Sequence, residues 1–177
     1  MAIDKDYGTE MEQVNVVSFG RLADYSDTRA VTCSTDESVS FGQAVKLKEE
    51  GVVEVMGNDD TFFGVALAKH YYTDRKSSFT LEDVKSVDDD MLKYDEKEPV
   101  SVLRKGVVWV PCVKDVSAGE AVAVDDATGY FTEQGEADST NIDNAVFLSD
   151  AVKVLDDEDE GVDNDRWIAK LEINLPA

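Results

Sequence analysis

Side chains able to do chemistry are few in this chain once its carboxylates are set aside. The single histidine, His70, is followed by Tyr71-Tyr72, and no serine or cysteine stands beside it in a nucleophile motif. An imidazole acts as a general base only next to a group that it deprotonates, so His70 reads as a surface or packed residue. Cys33 and Cys112 are too few and too far apart for a disulfide framework or a zinc pattern, and they read as reduced, buried small hydrophobes. Neither G-x-x-x-x-G-K-[ST] nor G-x-G-x-x-G occurs, so no phosphate-cradling loop is expected.

Acidic clusters are the remaining candidates, because a hard cation such as calcium is held by carboxylates. Asp156 to Gly161 places a glycine sixth, as an EF-hand loop does. Positions three and five are then Glu158 and Glu160, and position twelve is Trp167, where a bidentate carboxylate is required. The run therefore reads as a solvated loop, and Asp88-Asp-Asp90 as solubilising charge. With 39 Asp and Glu residues, paired carboxylates for glycoside hydrolysis could be drawn almost anywhere, and no spacing singles out a pair. The expectation is a protein without catalytic residues, metal or cofactor.

The same acids exclude partners. Against 39 acidic residues stand 17 Lys and Arg, a formal charge of -22, which repels nucleic-acid phosphates and anionic membranes. The first residues show no basic and apolar leader, and no apolar run approaches the roughly 20 residues that span a bilayer, so a soluble chain without a secretion signal is expected. A hydrophobic share of 42% in 177 residues suffices for one domain with a substantial core.

Every remaining pattern is that of strands and turns. Val100 to Val113 and the following Lys114 to Val124 form the most β-branched region; Gly106 divides its first part, and Arg104-Lys105-Gly106 predicts the turn of a central hairpin. Pro111, which has no N–H for a ladder, belongs at an edge or a bulge. Ser40 to Leu47, Gly51 to Val55 and Thr61 to Leu67 are joined by short polar turns and predict a meander. Asp125-Asp-Ala-Thr-Gly129 is a turn, with Tyr130 to Thr132 returning from it. Residues 21–37 read as a polar loop with a marginal strand at Ala30-Val31. Ala145 to Leu148 and Ala151 to Leu155 are two further short strands. Trp167, Ala169, Leu171, Ile173 and Leu175 alternate with Ile168, Lys170, Glu172 and Asn174, the signature of a half-buried terminal strand paired with an interior one. Thr80-Leu-Glu-Asp83 has capping-box spacing, with Leu81, Val84, Val87 and Met91 at helical intervals, so the charged excursion from His70 to Glu98 is either a short helix or a loop. One echo recurs: Ser40-Phe-Gly-Gln-Ala-Val45 and Ser117-Ala-Gly-Glu-Ala-Val122, a duplicated hairpin or two similar solutions to one turn.

The fold class that follows is mainly β: a single-domain antiparallel barrel or sandwich over residues 21–177, with residues 1–20 as an N-terminal arm and first strand. In the order of Gly42 to Leu47, Phe62-Phe-Gly-Val-Ala-Leu67, Pro99-Val-Ser-Val-Leu-Arg-Lys-Gly-Val-Val-Trp-Val110, Ala118 to Val124, Thr128-Gly129 and Ala145 to Asp150, the chain resembles the cement, or decoration, proteins of tailed-bacteriophage capsids. The resemblance spans Val39 to Leu175. It implies a non-enzymatic virion protein on the capsid exterior, assembled in the host cytoplasm, that bridges major capsid protein subunits and self-associates as a dimer or trimer without touching nucleic acid or membrane. Val14, Val16, Val17 and Phe19 are candidates for strand addition to the capsid. The other reading is a β-barrel ligand- or carbohydrate-binding module of a tail or surface protein.

Overall fold

The computed structural model describes residues 19–69, 92–155 and 166–176. Its strands are β1 (Leu22–Thr35), β2 (Val39–Ser40), β3 (Ala44–Glu49), β4 (Val52–Val55), β5 (Phe62–Ala66), β6 (Lys93–Tyr94), β7 (Pro99–Cys112), β8 (Ala121–Asp125), β9 (Phe131–Glu133), β10 (Ser139–Phe147), β11 (Val152–Leu155) and β12 (Arg166–Asn174). No helix occurs among the described residues. The capping-box segment at Thr80 lies outside them, as do Val14, Val16, Val17, His70, Asp88-Asp-Asp90 and the run from Asp156 to Gly161.

Ten strands form one sheet in the order β1-β4-β3-β5-β7-β9-β8-β10-β12-β11, and β2 pairs with β6 alone. Two further pairings, β1 with β7 and β7 with β12, turn that order back on itself. The mainly β class is as expected, but of the barrel or sandwich that the sequence suggested a clean single barrel is not what forms. The strands make two five-stranded circuits, β1-β4-β3-β5-β7 and β7-β9-β8-β10-β12, that share β7. Most pairings are antiparallel; β1 with β4 and β7 with β9 are parallel. Each circuit has its own core. Cys33, Val45, Val53, Val100 and Val102 sit in the first, and Val108, Val122, Phe131, Phe147 and Leu171 in the second.

The central hairpin expected around Gly106 does not form. β7 runs through Lys105 and Gly106 without turning, paired to Arg29 on one side and to Asn174 and Ile173 on the other. Gly106 stands instead where a neighbour comes too close for a side chain: at its φ of 132° a Cβ would lie 2.8 Å from Thr28 Cγ2. Glycine inside a strand marks a close approach as readily as a turn. Opposite it, β1 bulges, since Asp24 pairs with Val107 and Arg29 with Lys105, leaving four residues of β1 facing Gly106 alone. Pro111 lies where one ladder hands over to another. Trp109 N–H donates to Arg21 O (2.9 Å) and Val113 N–H to Phe131 O (3.0 Å), so the missing N–H of Pro111 falls between the start of β1 and the arrival of β9.

Two more expectations change. Residues 22–35 are a full 14-residue strand rather than a loop; β1 is mostly solvent-exposed, so it carries no apolar alternation to read. The predicted meander is reordered to β4-β3-β5, because the outer side of β4 is taken by β1. The terminal strand is as expected: β12 pairs with β7 from Trp167 to Asn174, with Ala169, Leu171 and Ile173 in the second core and Ile168 turned into the first.

The echo of Ser40–Val45 in Ser117–Val122 is part of a larger correspondence. Gly42 and Gly119 have φ of 84° and 87°. Gly42 N–H donates to Ala66 O and Gly119 N–H to Phe147 O, both at 2.7 Å. Met56 N–H donates to Ala44 O (3.0 Å), as Gln134 N–H does to Ala121 O (2.9 Å), and Leu67 N–H to Ser101 O as Leu148 N–H to Lys170 O, both 2.8 Å. The row Ala44–Val65–Leu103 across β3, β5 and β7 recurs as Ala121–Val146–Glu172 across β8, β10 and β12. The chain is one five-stranded unit built twice, with β7 closing the first copy and opening the second.

The seam between the copies explains a difference between the two turns. Gln43 Oε1 accepts from Ser40 N–H (2.6 Å) while its Nε2 donates to Thr128 O (2.6 Å), and Ala44 N–H donates to Gly129 O (2.9 Å). Glu120 accepts the equivalent bond from Ser117 N–H (2.8 Å) and has no second copy to reach. An amide is needed at position 43 because only it both accepts and donates. Gln43→Glu should therefore cost about 1–3 kcal/mol by leaving Thr128 O facing a carboxylate, whereas Glu120→Gln should stay within about 0.5 kcal/mol of the unaltered chain. Urea titration of both variants measures this, and equal losses would contradict the assignment. A chain ending at Asp165 loses β12 and one whole side of the second circuit, so it should show no cooperative melting transition; retention of the full-length Tm would refute the pairing.

Candidate interaction surface

No group of three or more His, Cys, Asp or Glu side chains among the described residues is placed to hold a metal ion. The cysteines are free thiols buried in different cores, Cys33 in the first and Cys112 in the second. Burial pushes both thiols above their ordinary range, which disfavours the reactive thiolate. Of the four residues expected to meet the capsid, Phe19 alone is described, and it is 6% exposed, packed in the first core with Phe41 and Val45.

What the chain does present is an exposed set that sequence reading did not single out: Tyr25, Val31, Leu47, Val113 and Leu148. Tyr25 stands furthest out, 78% exposed, on the bulge of β1. That bulge is built rather than slack. Asp24 Oδ1 accepts from Ser26 N–H and Ser26 Oγ–H, both at 2.8 Å, which holds the Asp24 carboxyl below its usual range. Asp27, at a φ of 52°, pairs with Lys105 Nζ at 2.5 Å. A tyrosine held on a fixed backbone loses little freedom when it is buried by a partner.

A groove of about 560 Å³ runs between the circuits, with Leu47, Phe62, Phe63, Ile142 and Leu175 among its walls. Arg104 lies over the Phe63 ring at 4.3 Å and donates to Pro176 O (2.9 Å). Arg29 donates to Leu175 O (2.5 Å) and Pro176 O (2.9 Å). Together the two arginines fasten the residues after β12 across the end of β7. Burial, and then the neighbouring Arg29 charge, lower the Arg104 pKa.

Surface charge is largely organised in pairs. Lys46 on β3 meets Asp60 (3.0 Å), and Lys48 on β3 meets Glu54 on β4 (2.5 Å) and Asp36 after β1 (3.1 Å). Lys114 meets Glu133 and Glu136 below β9. Lys69 meets Glu98 at 2.5 Å at the start of β7.

Over residues 9–174 the chain matches the phage family described as structural cement protein. It belongs to that family. As a cement protein it has a structural, capsid-associated role in the bacteriophage virion. A solved chain from "The capsid of Myoviridae Phage XM1" has the same fold, with a TM-score of 0.56 at 15% identity over 94% of this chain and 95% of that one. No curated protein matches. The shared length means that both circuits, and not a single barrel, are what this cement protein has in common with that capsid chain.

The ion pair of Lys69, together with the Asp95 N–H, holds the Glu98 carboxyl below the usual carboxylate range. A depressed carboxylate adds stability above its unfolded pKa and loses it as pH falls through the folded one. The Tm of the unaltered cement protein should thus exceed that of Glu98→Gln at pH 7, and the gap should close in acid below pH about 4. Thermal melts of both chains from pH 7 to 3 check it, and a gap that widened in acid would reverse the sign.

Proposed function

We propose that this cement protein binds the outer surface of an assembled phage head and, without catalysis, stabilises contacts between neighbouring major capsid protein subunits. The observation that carries the reading is the family match from residue 9 to residue 174, which takes in both circuits and their shared strand. A charge of -22 supports placement away from the genome, since phosphates repel it. Self-association on the head and assembly in the host cytoplasm belong to the same reading. Val14, Val16 and Val17 remain candidates for strand addition to the capsid; Phe19, buried in the first core, would hold the base of that segment in place.

Purified protein mixed with expanded heads that lack it should sediment with them and raise the temperature at which they rupture. Failure to co-sediment from low to high salt would overturn the proposal.

A further inference from the structure

The row Ala44–Val65–Leu103 is 0% exposed because the second circuit lies against it. Its counterpart, Ala121–Val146–Glu172, has the same cross-strand pairing and a different fate: Ala121 and Glu172 are exposed and Val146 is half-buried. Leu67 packs against the second core, whereas its counterpart Leu148 is 46% exposed. One three-strand surface thus occurs twice, sealed in the first copy and open in the second.

An end surface that served only to meet water would be polar throughout, as the caps of repeat proteins are. Here three of the four positions keep their residue type, alanine for alanine, valine for valine and leucine for leucine, and only Leu103 is replaced by a charge, Glu172. Glu172 makes no ion pair with a described residue. We infer that this open face docks a neighbouring capsid subunit through a patch that is aliphatic at its centre and carries Lys or Arg to meet Glu172. The inference rests on the capsid reading above and adds where the contact is and what chemistry it has. A second copy of this chain fits less well, because each copy brings the same charge of -22.

The test is binding of the full chain to heads that lack it, with three variants shown to melt like the unaltered protein. Glu172→Lys and Leu148→Ser should each weaken binding by roughly tenfold, the Glu172→Lys loss shrinking at high salt. Glu50→Lys, the same reversal at the exposed β3–β4 turn, should change it by less than about twofold. Retained binding by both face variants would overturn the inference while leaving the capsid reading intact. So would a dimer of the free chain, seen by sedimentation velocity, that Leu148→Ser dissociates, since a second copy would then own the face. If the unaltered chain itself fails to bind heads, the capsid reading falls and takes the inference with it.

Discussion

Everything in this fold hangs on β7 having both of its sides occupied along almost its whole length. β1 lies along one side, from Pro99 to Val108, and β9 takes over at Cys112; β5 and then β12 lie along the other. Such a strand has no free edge to satisfy with water, and its side chains feed two cores, Val100 and Val102 into one and Val108, Val110 and Cys112 into the other. Gly106 and Pro111 are the two residues that make the sharing possible. The first admits Thr28 against the backbone, and the second spends its missing N–H at the point where β1 gives way to β9. Neither circuit is complete without this strand, so the two copies stand or fall as one cooperative unit.

Local signals were legible in the sequence wherever they depended on near neighbours. The alternation of Trp167 to Leu175, the turn at Asp125 to Gly129 and the repeated Ser-x-Gly-[Gln/Glu] turn all follow from period and residue type, and each forms. The reading failed where the deciding fact was a distant residue. Gly106 has the same identity whether it turns a chain or clears room for Thr28, and only the position of β1 separates the two. β1 itself was hidden because most of it is exposed, and only Cys33 and Thr35 at its end are buried, too few to show an alternation. The duplication was visible only as six residues, because the pairings that extend it join residues as far apart along the chain as Leu22 and Val108. For the same reason the open face at Val146 and Glu172 could not be seen from sequence: its meaning lies in its match to a sealed counterpart.

Among the described residues the acidic surplus gathers into no group placed to hold a metal ion. Six of the nine described lysines, Lys46, Lys48, Lys69, Lys97, Lys105 and Lys114, are already matched to carboxylates. Exposed pairs of this kind add little stability each. Their larger effect is on which partners approach: a surface of one sign favours a basic partner.

The shared strand also sets an order of events as the chain is made. All strands of the first circuit are present once β7 has emerged, but the second must wait for β12, more than fifty residues later. Through that interval Ala44, Val65 and Leu103 form an uncovered apolar row and the later half of β7 keeps a bare edge, the combination from which chains aggregate. A nascent half-protein carrying many carboxylates repels its neighbours on the same message. The charge that reads as a property of the finished surface thus also bears on the molecule while half of it is still missing.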